Sequence, residues 1–187
     1  RFASQIFTSS VFIINLLSKF DNQSIIILCL CFISLLFISL AIINFINFLD
    51  GIDGLIAGSF LIILITFAFN NSLSLSFYGL IGGICAFLIF NWHPAKLFMG
   101  DIGSTFLGAV YVGLILQETS FSKTFAYIII FTPLFADAIS CILMRLFNKQ
   151  NIFKAHKLHL YQRLHQAGMK HSSISLIYIF GIILLTL

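Results

Sequence analysis

The sequence predicts an all-α protein, a polytopic transmembrane helical bundle of about seven spans that forms a single transmembrane domain over residues 1–187. Two observations indicate this class. Of the 187 residues, 60% are hydrophobic and only 9% are charged, whereas about a quarter of the residues in a soluble domain are charged. The mean hydropathy is +1.09, and long apolar runs alternate with short polar segments. These values exclude a soluble domain and make the lipid bilayer a predicted partner.

Seven apolar segments are the predicted spans. A helix that crosses about 30 Å of hydrocarbon needs about 20 mostly apolar residues, so the shorter segments must include flanking residues or lie in thinned bilayer. Gly and Ser residues in 79–83 and 103–113 predict close helix–helix contacts, and Pro133 predicts a kink in the sixth span. The predicted spans are 2–17, 25–43, 55–69, 73–90, 105–116, 124–144 and 172–187.

The loops between these spans differ in charge. With seven spans, one side of the membrane receives Arg1 and the loops near 44–54, 91–101 and 145–171. That side carries eight Lys and Arg residues, and the other side carries two. By the positive-inside rule the first side is cytoplasmic. Three polar loops are therefore expected on one face, where they could form a single site.

The first polar patch is Asn47-Phe48-Leu49-Asp50-Gly51-Ile52-Asp53-Gly54. Charged groups near a bilayer are costly and usually functional. On a helix, the spacing of Asn47, Asp50 and Asp53 would place them on about a third of the circumference. Such a face could bind a hard cation or the sugar and base of a nucleotide. The alternative is a turn in which Asp and Gly only cap helices.

The second patch is Phe98-Met99-Gly100-Asp101-Ile102-Gly103-Ser104, at the start of the next predicted span. A carboxylate at a helix start could hold Mg²⁺, while glycine and free N–H groups admit phosphate oxygens. The alternative for Asp101 is again a helix cap.

The third polar segment, the 145–171 loop, contains His156, His159 and Arg163 at a spacing of i, i+3 and i+7. On a helix these residues would share one face, which could bind phosphates and lie on the membrane surface. The alternative is a basic helix that only anchors to anionic lipid.

Four further polar residues receive simpler predictions. Asp137 lies within the sixth predicted span, where we expect it to form a structural pair near the cytoplasmic end. His93, His165 and His171 are interpreted as loop residues.

Together, the three motifs resemble a known family. Asn-x-x-Asp-Gly-x-Asp-Gly, Phe-Met-Gly-Asp-x-Gly-Ser and His-x-x-His-Leu-Tyr-Gln-Arg follow one another between residues 44 and 165. This order resembles the polyprenyl-phosphate N-acetylhexosamine-1-phosphate transferases of glycosyltransferase family 4, which include the phospho-N-acetylmuramoyl-pentapeptide transferase. The His-Leu-Tyr-Gln-Arg segment is more similar to the O-antigen-initiating branch.

The resemblance implies a membrane enzyme of cell-wall and lipopolysaccharide biosynthesis. Such an enzyme transfers N-acetylhexosamine-1-phosphate from a UDP-sugar to undecaprenyl or another polyprenyl phosphate and releases UMP. It implies Mg²⁺ as cofactor, with Mn²⁺ as a substitute, a multi-pass protein of the bacterial inner membrane, a homodimer, and no nucleic-acid partner. Two phosphates must approach each other in this reaction, so a cation and basic side chains are needed to neutralise them.

The resemblance also implies residue roles. Asp101 matches the Mg²⁺ ligand. Asn47, the second predicted metal ligand, lies with Asp50 and Asp53 in the loop that lines the nucleotide and metal site. Asn91 matches a position near the diphosphate, Phe98 one that packs on uracil, and Arg163 the phosphate-facing loop. The residues at catalytic positions are Asp50, Asp53, Asp101, His156 and His159.

One family motif is missing from this sequence. The family carries an Asp-Asp motif before the span that corresponds to 2–17, and the only acidic residue here before Asp50 is Asp21. We therefore expect catalysis from the full-length protein and none from these residues alone. The alternatives are an ion-coupled transporter, since polar patches in a bundle also mark ion pathways, and a non-catalytic lipid-binding membrane protein.

Overall fold

The computed structural model describes residues 2–20, 23–71, 74–151 and 157–187, which form nine α-helices and no strand. This confirms the all-α class. The helices are α1 (Phe2–Leu17), α2 (Ile25–Leu49), α3 (Leu55–Asn70), α4 (Leu75–Asn91), α5 (Gly100–Gln117), α6 (Phe121–Ile130), α7 (Thr132–Phe147), α8 (Leu160–Gln166) and α9 (His171–Thr186).

Each of the seven predicted spans falls on one apolar helix or on a pair of helices. By length and composition, α2 and α5 can cross a membrane, and α6 with α7 makes a third crossing if the pair is one broken span. The remaining four, α1, α3, α4 and α9, are apolar helices of 16 or 17 residues. Large side chains of α2, among them Ile26, Leu30 and Phe37, are exposed, as lipid-facing residues are.

The sixth predicted span is interrupted. Instead of one helix over 124–144, α6 ends at Ile130 and α7 begins at Thr132, and the two helices are bent by 66°. Pro133 lies in the first turn of α7, where a backbone N–H would have no acceptor within the helix. The predicted kink at Pro133 is confirmed.

The chain forms two compact units. The first unit comprises Arg1–Asn47 and Asp101–Tyr127, and the second comprises Phe48–Gly100 and Ile128–Leu187. The core of the first unit joins Ile13 of α1, Ile43 of α2, and Val112 and Leu116 of α5.

A glycine allows this packing in the first unit. A Cβ placed on Gly108 of α5 would lie 3.0 Å from the Cα of Ile43, so a side chain here would force α5 and α2 apart by a few tenths of an ångström, and glycine lets them approach closely. The prediction of close contacts at the small residues is confirmed here. It is wrong for 79–83, because Cβ atoms on Gly79, Gly82 and Gly83 would meet no described atom within 4 Å.

The second unit is built around α3, which is apolar on every side. Its first six residues, Leu55 to Phe60, are all buried, and it packs against α4 and α9. The ring of Phe60 meets the ring of Phe131 edge-on, with centroids 5.7 Å apart. The turn that precedes α3 therefore leads directly into a buried helix, and it contains residues 50–54 of the first polar patch.

Gly54 caps α3 and should resist substitution. Its φ is +75°, and an added Cβ would lie 2.7 Å from Cε3 of Trp92. We expect Gly54→Ala to destabilise the second unit by about 1–3 kcal/mol, because the left-handed backbone and the clash both penalise a side chain. Thermal unfolding followed by fluorescence of Trp92, the one tryptophan of the sequence, measures the loss.

Gly168 provides the matched control. It also has a positive φ of +95°, but among the described residues nothing lies within 4 Å of an added Cβ. Gly168→Ala should therefore cost less than Gly54→Ala. Equal losses would show that the contact with Trp92 is unimportant.

Candidate functional site

Asp101 lies in the first turn of α5, as the sequence predicts, and its side chain is exposed. The side-chain amide nitrogen of Asn47, Nδ2, donates hydrogen bonds to Oδ1 of Asp101 at 3.1 Å and to Oγ of Ser104 at 2.8 Å. Ser104 is fully buried. Within the first unit, the end of α2 thus holds the carboxylate at the start of α5.

These side chains suit a hard cation. Mg²⁺ prefers oxygen ligands from carboxylates, amides and hydroxyl groups, and Asp101, Asn47 and Ser104 supply all three types. Asn47 turns its amide nitrogen toward Asp101, so direct ligation by Asn47 would require its oxygen to take that position. Asn47 and Asp101 as metal ligands stay predictions.

The prediction that Asn47, Asp50 and Asp53 share a helical face is wrong. The α2 helix ends at Leu49, residues 50–54 form turns, and α3 begins at Leu55. Gly54, the last residue of these turns, has a left-handed backbone, so α2 does not continue into α3. This turn gives Asp53 a different set of neighbours from those of Asn47.

Asp53 is surrounded by hydrogen-bond donors of the second unit. Its Oδ2 lies 2.7 Å from Nδ1 of His93, 3.3 Å from Nδ1 of His171 and 3.2 Å from the amide nitrogen of Ala95. Burial raises the pKa of Asp53, but the hydrogen bonds from His93, Ala95 and His171 lower it more, so its pKa lies below the ordinary value. The carboxylate is therefore ionised at neutral pH.

The backbone around Asp53 is fixed from two sides. Ser175 of α9 donates a hydrogen bond to the carbonyl oxygen of Asp53 at 2.7 Å. The amide of Gly54 donates to Oδ1 of Asn91 at 3.1 Å, and Nδ2 of Asn91 donates to the carbonyl of Leu97 at 2.9 Å. Asn91 is buried and positions two loops, and its contact with a diphosphate stays a prediction.

Protonation of Asp53 should loosen this turn. A carboxyl group with a lowered folded-state pKa contributes stability above its unfolded pKa, and that stability is lost as the pH falls through the folded-state value. We expect a change in Trp92 fluorescence below pH 3.8, recorded with a chelator present. Asp53→Asn should lack this component, and an identical acid transition in the variant would contradict the assignment.

The third motif begins α8, but not as one helical face. His159 is the N-cap of α8 rather than part of the helix, and its amide donates to Oε1 of Gln162 at 3.2 Å. The predicted face therefore does not include His159, whose ring is buried beside Tyr161. Arg163 lies on α8 and is exposed. His156 lies outside the described residues.

Asp137 explains the position of α8. Its carboxylate accepts hydrogen bonds from the amides of Leu160 and Tyr161 at 2.7 and 3.2 Å and from the hydroxyl of Tyr178 at 2.6 Å. Nδ1 of His159 lies 3.4 Å from Oδ1 of the same residue. The structural role predicted for Asp137 is confirmed, and its partners are the first turn of α8 and a tyrosine of α9.

Tyr161 connects α8 with the first motif. Its hydroxyl donates to the carbonyl oxygen of Phe48 at 3.0 Å, and a side chain on Gly51 would collide with its ring. Burial and the nearby charge of Asp137, with a smaller contribution from Asp50, raise the pKa of Tyr161. The turn of Asp50 and Asp53 and the start of α8 are thus joined within the second unit.

The interpretation of His93, His165 and His171 as loop residues is wrong for two of them, because His165 lies on α8 and His171 begins α9. It also missed that the three rings lie close together. The ring of His171 lies 5.1 Å from that of His93 and 4.4 Å from that of His165, and His93 and His171 both contact Asp53. These residues are far apart in the sequence and follow no shared period. The one feature of the sequence that could have drawn attention to them is that it contains only five His residues.

The predicted site residues fall into both units. Asn47 and Asp101 belong to the first unit, and Asp50, Asp53, Asn91, Phe98, His159 and Arg163 belong to the second. Phe98 is 71% exposed, as a residue that stacks on a base must be. A common cleft for Asp50, Asp53, Asp101 and His159 stays a prediction.

Comparison with known proteins finds relatives that are named as transferases. The chain is 40% identical over 153 residues to a probable undecaprenyl-phosphate N-acetylglucosaminyl 1-phosphate transferase of Bacillus subtilis (strain 168), covering 75% of this chain and 42% of that protein. It is 34% identical over 155 residues to a phospho-N-acetylmuramoyl-pentapeptide-transferase of Carboxydothermus hydrogenoformans, covering 79% of this chain and 46% of the relative.

The chain thus spans less than half the length of these two relatives. The family model described as glycosyl transferase family 4 matches residues 1–119, which include the Asn47–Gly54 and Phe98–Ser104 motifs. The matched region contains α1 to α5 and both acidic patches. On this match, the chain is a member of glycosyl transferase family 4.

Proposed function

We propose that the full-length protein transfers an N-acetylhexosamine-1-phosphate group from a UDP-sugar to a polyprenyl phosphate and releases UMP. The observation that carries the proposal is the exposed Asp101 carboxylate at the start of α5, held by Asn47 of the other family motif. Membership in a family whose relatives are named as phosphate-sugar transferases supports it.

In the proposed reaction, a phosphate oxygen of the polyprenyl phosphate forms a bond to the sugar-bearing phosphorus of the UDP-sugar. The bond from that phosphorus to the bridging oxygen breaks, and its electron pair leaves on UMP. Both reactants are anionic, so their approach requires neutralisation. Mg²⁺, held by Asp101, would reduce this repulsion and polarise the phosphate under attack.

The chain's own residues have separate proposed roles. Asn47 orients the Asp101 carboxylate through its amide nitrogen. The exposed ring of Phe98 stacks on the uracil base, and the exposed guanidinium of Arg163 binds a phosphate, for which its planar donors are suited. His159 is held by its contacts at the start of α8 and positions that segment.

The sugar donor and the side of the membrane that the site faces are parts of the same proposal. UDP-N-acetylglucosamine is the first donor to test, because the Bacillus subtilis relative is named for N-acetylglucosaminyl 1-phosphate transfer. The excess of Lys and Arg on one predicted side supports a multi-pass inner-membrane protein whose site faces the cytoplasm.

The test is UMP release by the full-length protein in detergent or lipid, with UDP-N-acetylglucosamine, undecaprenyl phosphate and Mg²⁺. We expect UMP and polyprenyl-diphospho-sugar in equal amounts, and neither product when the lipid phosphate is omitted. Release of UMP without lipid phosphate, or ion-driven uptake by proteoliposomes without any release, would overturn the proposal.

A further inference from the structure

The second unit contains a cluster of metal-binding side chains separate from Asp101. His93 and His171 each offer a ring nitrogen and Asp53 offers a carboxylate oxygen, and these three atoms all lie within 4.8 Å of one another. Within the described residues, this is the one group of three His, Cys, Asp or Glu side chains that meets that distance. We propose that Asp53, His93 and His171 bind a divalent transition ion of the Zn²⁺ class.

The donor chemistry selects the ion. Two imidazole nitrogens and one carboxylate oxygen suit Zn²⁺, Ni²⁺, Cu²⁺ or Fe²⁺, whereas Mg²⁺ prefers sites made of oxygen ligands. The side chains around Asp101 offer only oxygen ligands for a cation, so the two sites should discriminate between these ions. The inference therefore stands apart from the proposed transferase mechanism.

The distances of the two imidazoles from Asp53 can be compared with those of a metal centre, and all three ligand atoms lie within 4.8 Å of one another. In a tetrahedral site with bonds of about 2.0–2.1 Å, neighbouring ligand atoms lie about 3.3 Å apart. Nδ1 of His171 already lies 3.3 Å from Oδ2 of Asp53, and Nδ1 of His93 lies 2.7 Å from it. His93 must therefore withdraw by 0.6 Å, and its side chain is 37% exposed in the turn that follows α4.

The surroundings support the three ligands. The amide of Ala95 donates to Oδ2 of Asp53, and Ser175 holds the Asp53 carbonyl. The ring of His165 packs against that of His171. Such outer contacts orient metal ligands.

The site would join three parts of the second unit. Asp53 precedes α3, His93 follows α4, and His171 begins α9. An ion bound only by the folded state stabilises that state. Imidazole must be deprotonated to bind a metal ion, so binding should weaken at acid pH.

The experiment titrates Co²⁺, as a visible probe of Zn²⁺ sites, into the full-length protein in detergent without a histidine tag. We expect the absorption of a tetrahedral Co²⁺ site, its loss on addition of Zn²⁺, no displacement by Mg²⁺, and a higher melting temperature with Zn²⁺. His93→Gln and His171→Gln should each weaken binding at least about 10-fold, since even outer contacts are worth that much.

Two control variants test whether Co²⁺ binding depends specifically on Asp53, His93 and His171. His165→Gln removes a histidine from the cluster but no ligand, and Asp101→Asn removes the proposed Mg²⁺ ligand, so both should retain the Co²⁺ spectrum. Helical content by circular dichroism identifies variants that fail to fold, and His93→Gln, in an exposed turn, is the variant on which the test rests. If Co²⁺ produces no such absorption in the wild-type protein, or if folded His93→Gln binds Co²⁺ with unchanged affinity, the three residues form only hydrogen bonds.

Discussion

Asp101→Asn in the full-length protein should abolish Mg²⁺-dependent UMP release while leaving the helical content unchanged. The amide keeps the size of the side chain and one oxygen, but it loses the negative charge that would hold the cation. A metal ion contributes several kcal/mol to such a reaction, so we expect a rate loss of at least about 1000-fold. Because Asp101 is exposed, its replacement should cost little folding stability.

The matched control for Asp101→Asn is Glu118→Gln. Glu118 directly follows α5 and caps the next turn, where its carboxylate accepts the amides of Thr119 and Ser120. This change removes one negative charge from the same region of the sequence without touching a family motif, and activity should persist. Near-normal turnover of Asp101→Asn, both at saturating and at limiting Mg²⁺, would exclude Asp101 as an essential ligand.

Asp137→Ala should release α8 and destabilise the second unit. The change leaves the amides of Leu160 and Tyr161 and the hydroxyl of Tyr178 without their carboxylate acceptor. Each buried donor that loses its acceptor costs about 1–3 kcal/mol, so the expected loss is about 3 kcal/mol or more. Faster hydrogen exchange over residues 157–166 and a lower melting temperature measure it.

Two further variants test the cause of this loss. Asp137→Asn keeps one carbonyl oxygen as an acceptor and should cost less than Asp137→Ala. Ser140→Ala removes a hydroxyl from the same helix that, among the described residues, donates to the carbonyl of Asp137, so it should leave exchange in α8 unchanged. Slow exchange of α8 in Asp137→Ala would show that other contacts hold the segment.

The positions of the apolar helices were predictable because hydropathy determines which segments can lie in a membrane. The predicted spans 2–17 and 55–69 agree with α1 and α3 to within one residue. The helix α2 extends six residues beyond the predicted 25–43, since Asn44 satisfies its amide on the carbonyl of Leu40 and on Gln5. Polar residues that find partners within a bundle do not end a helix, and hydropathy alone does not reveal those partners.

The site was less predictable, because its contacts join distant parts of the sequence. The position of Asp101 at a helix start follows from local pattern, and so does the cap at Gly54. The contacts of Asp53 with His93 and His171 span 40 and 118 residues and depend on how α4 and α9 pack against α3. A pattern of three or four residues carries no information about such packing.

The shortness of α8 has a consequence for the order of folding. A helix of seven residues is unstable alone in water, because nucleation costs more than so few hydrogen bonds return. Its first amides are capped by Asp137 of α7, whose carboxylate is also bound by Tyr178 of α9. Transmembrane helices insert before they pack, so α8 forms only after α7 and α9 have come together. The segment that carries Arg163 is thus expected to order only after α9 has packed, and until then Arg163 lacks the helix that holds it.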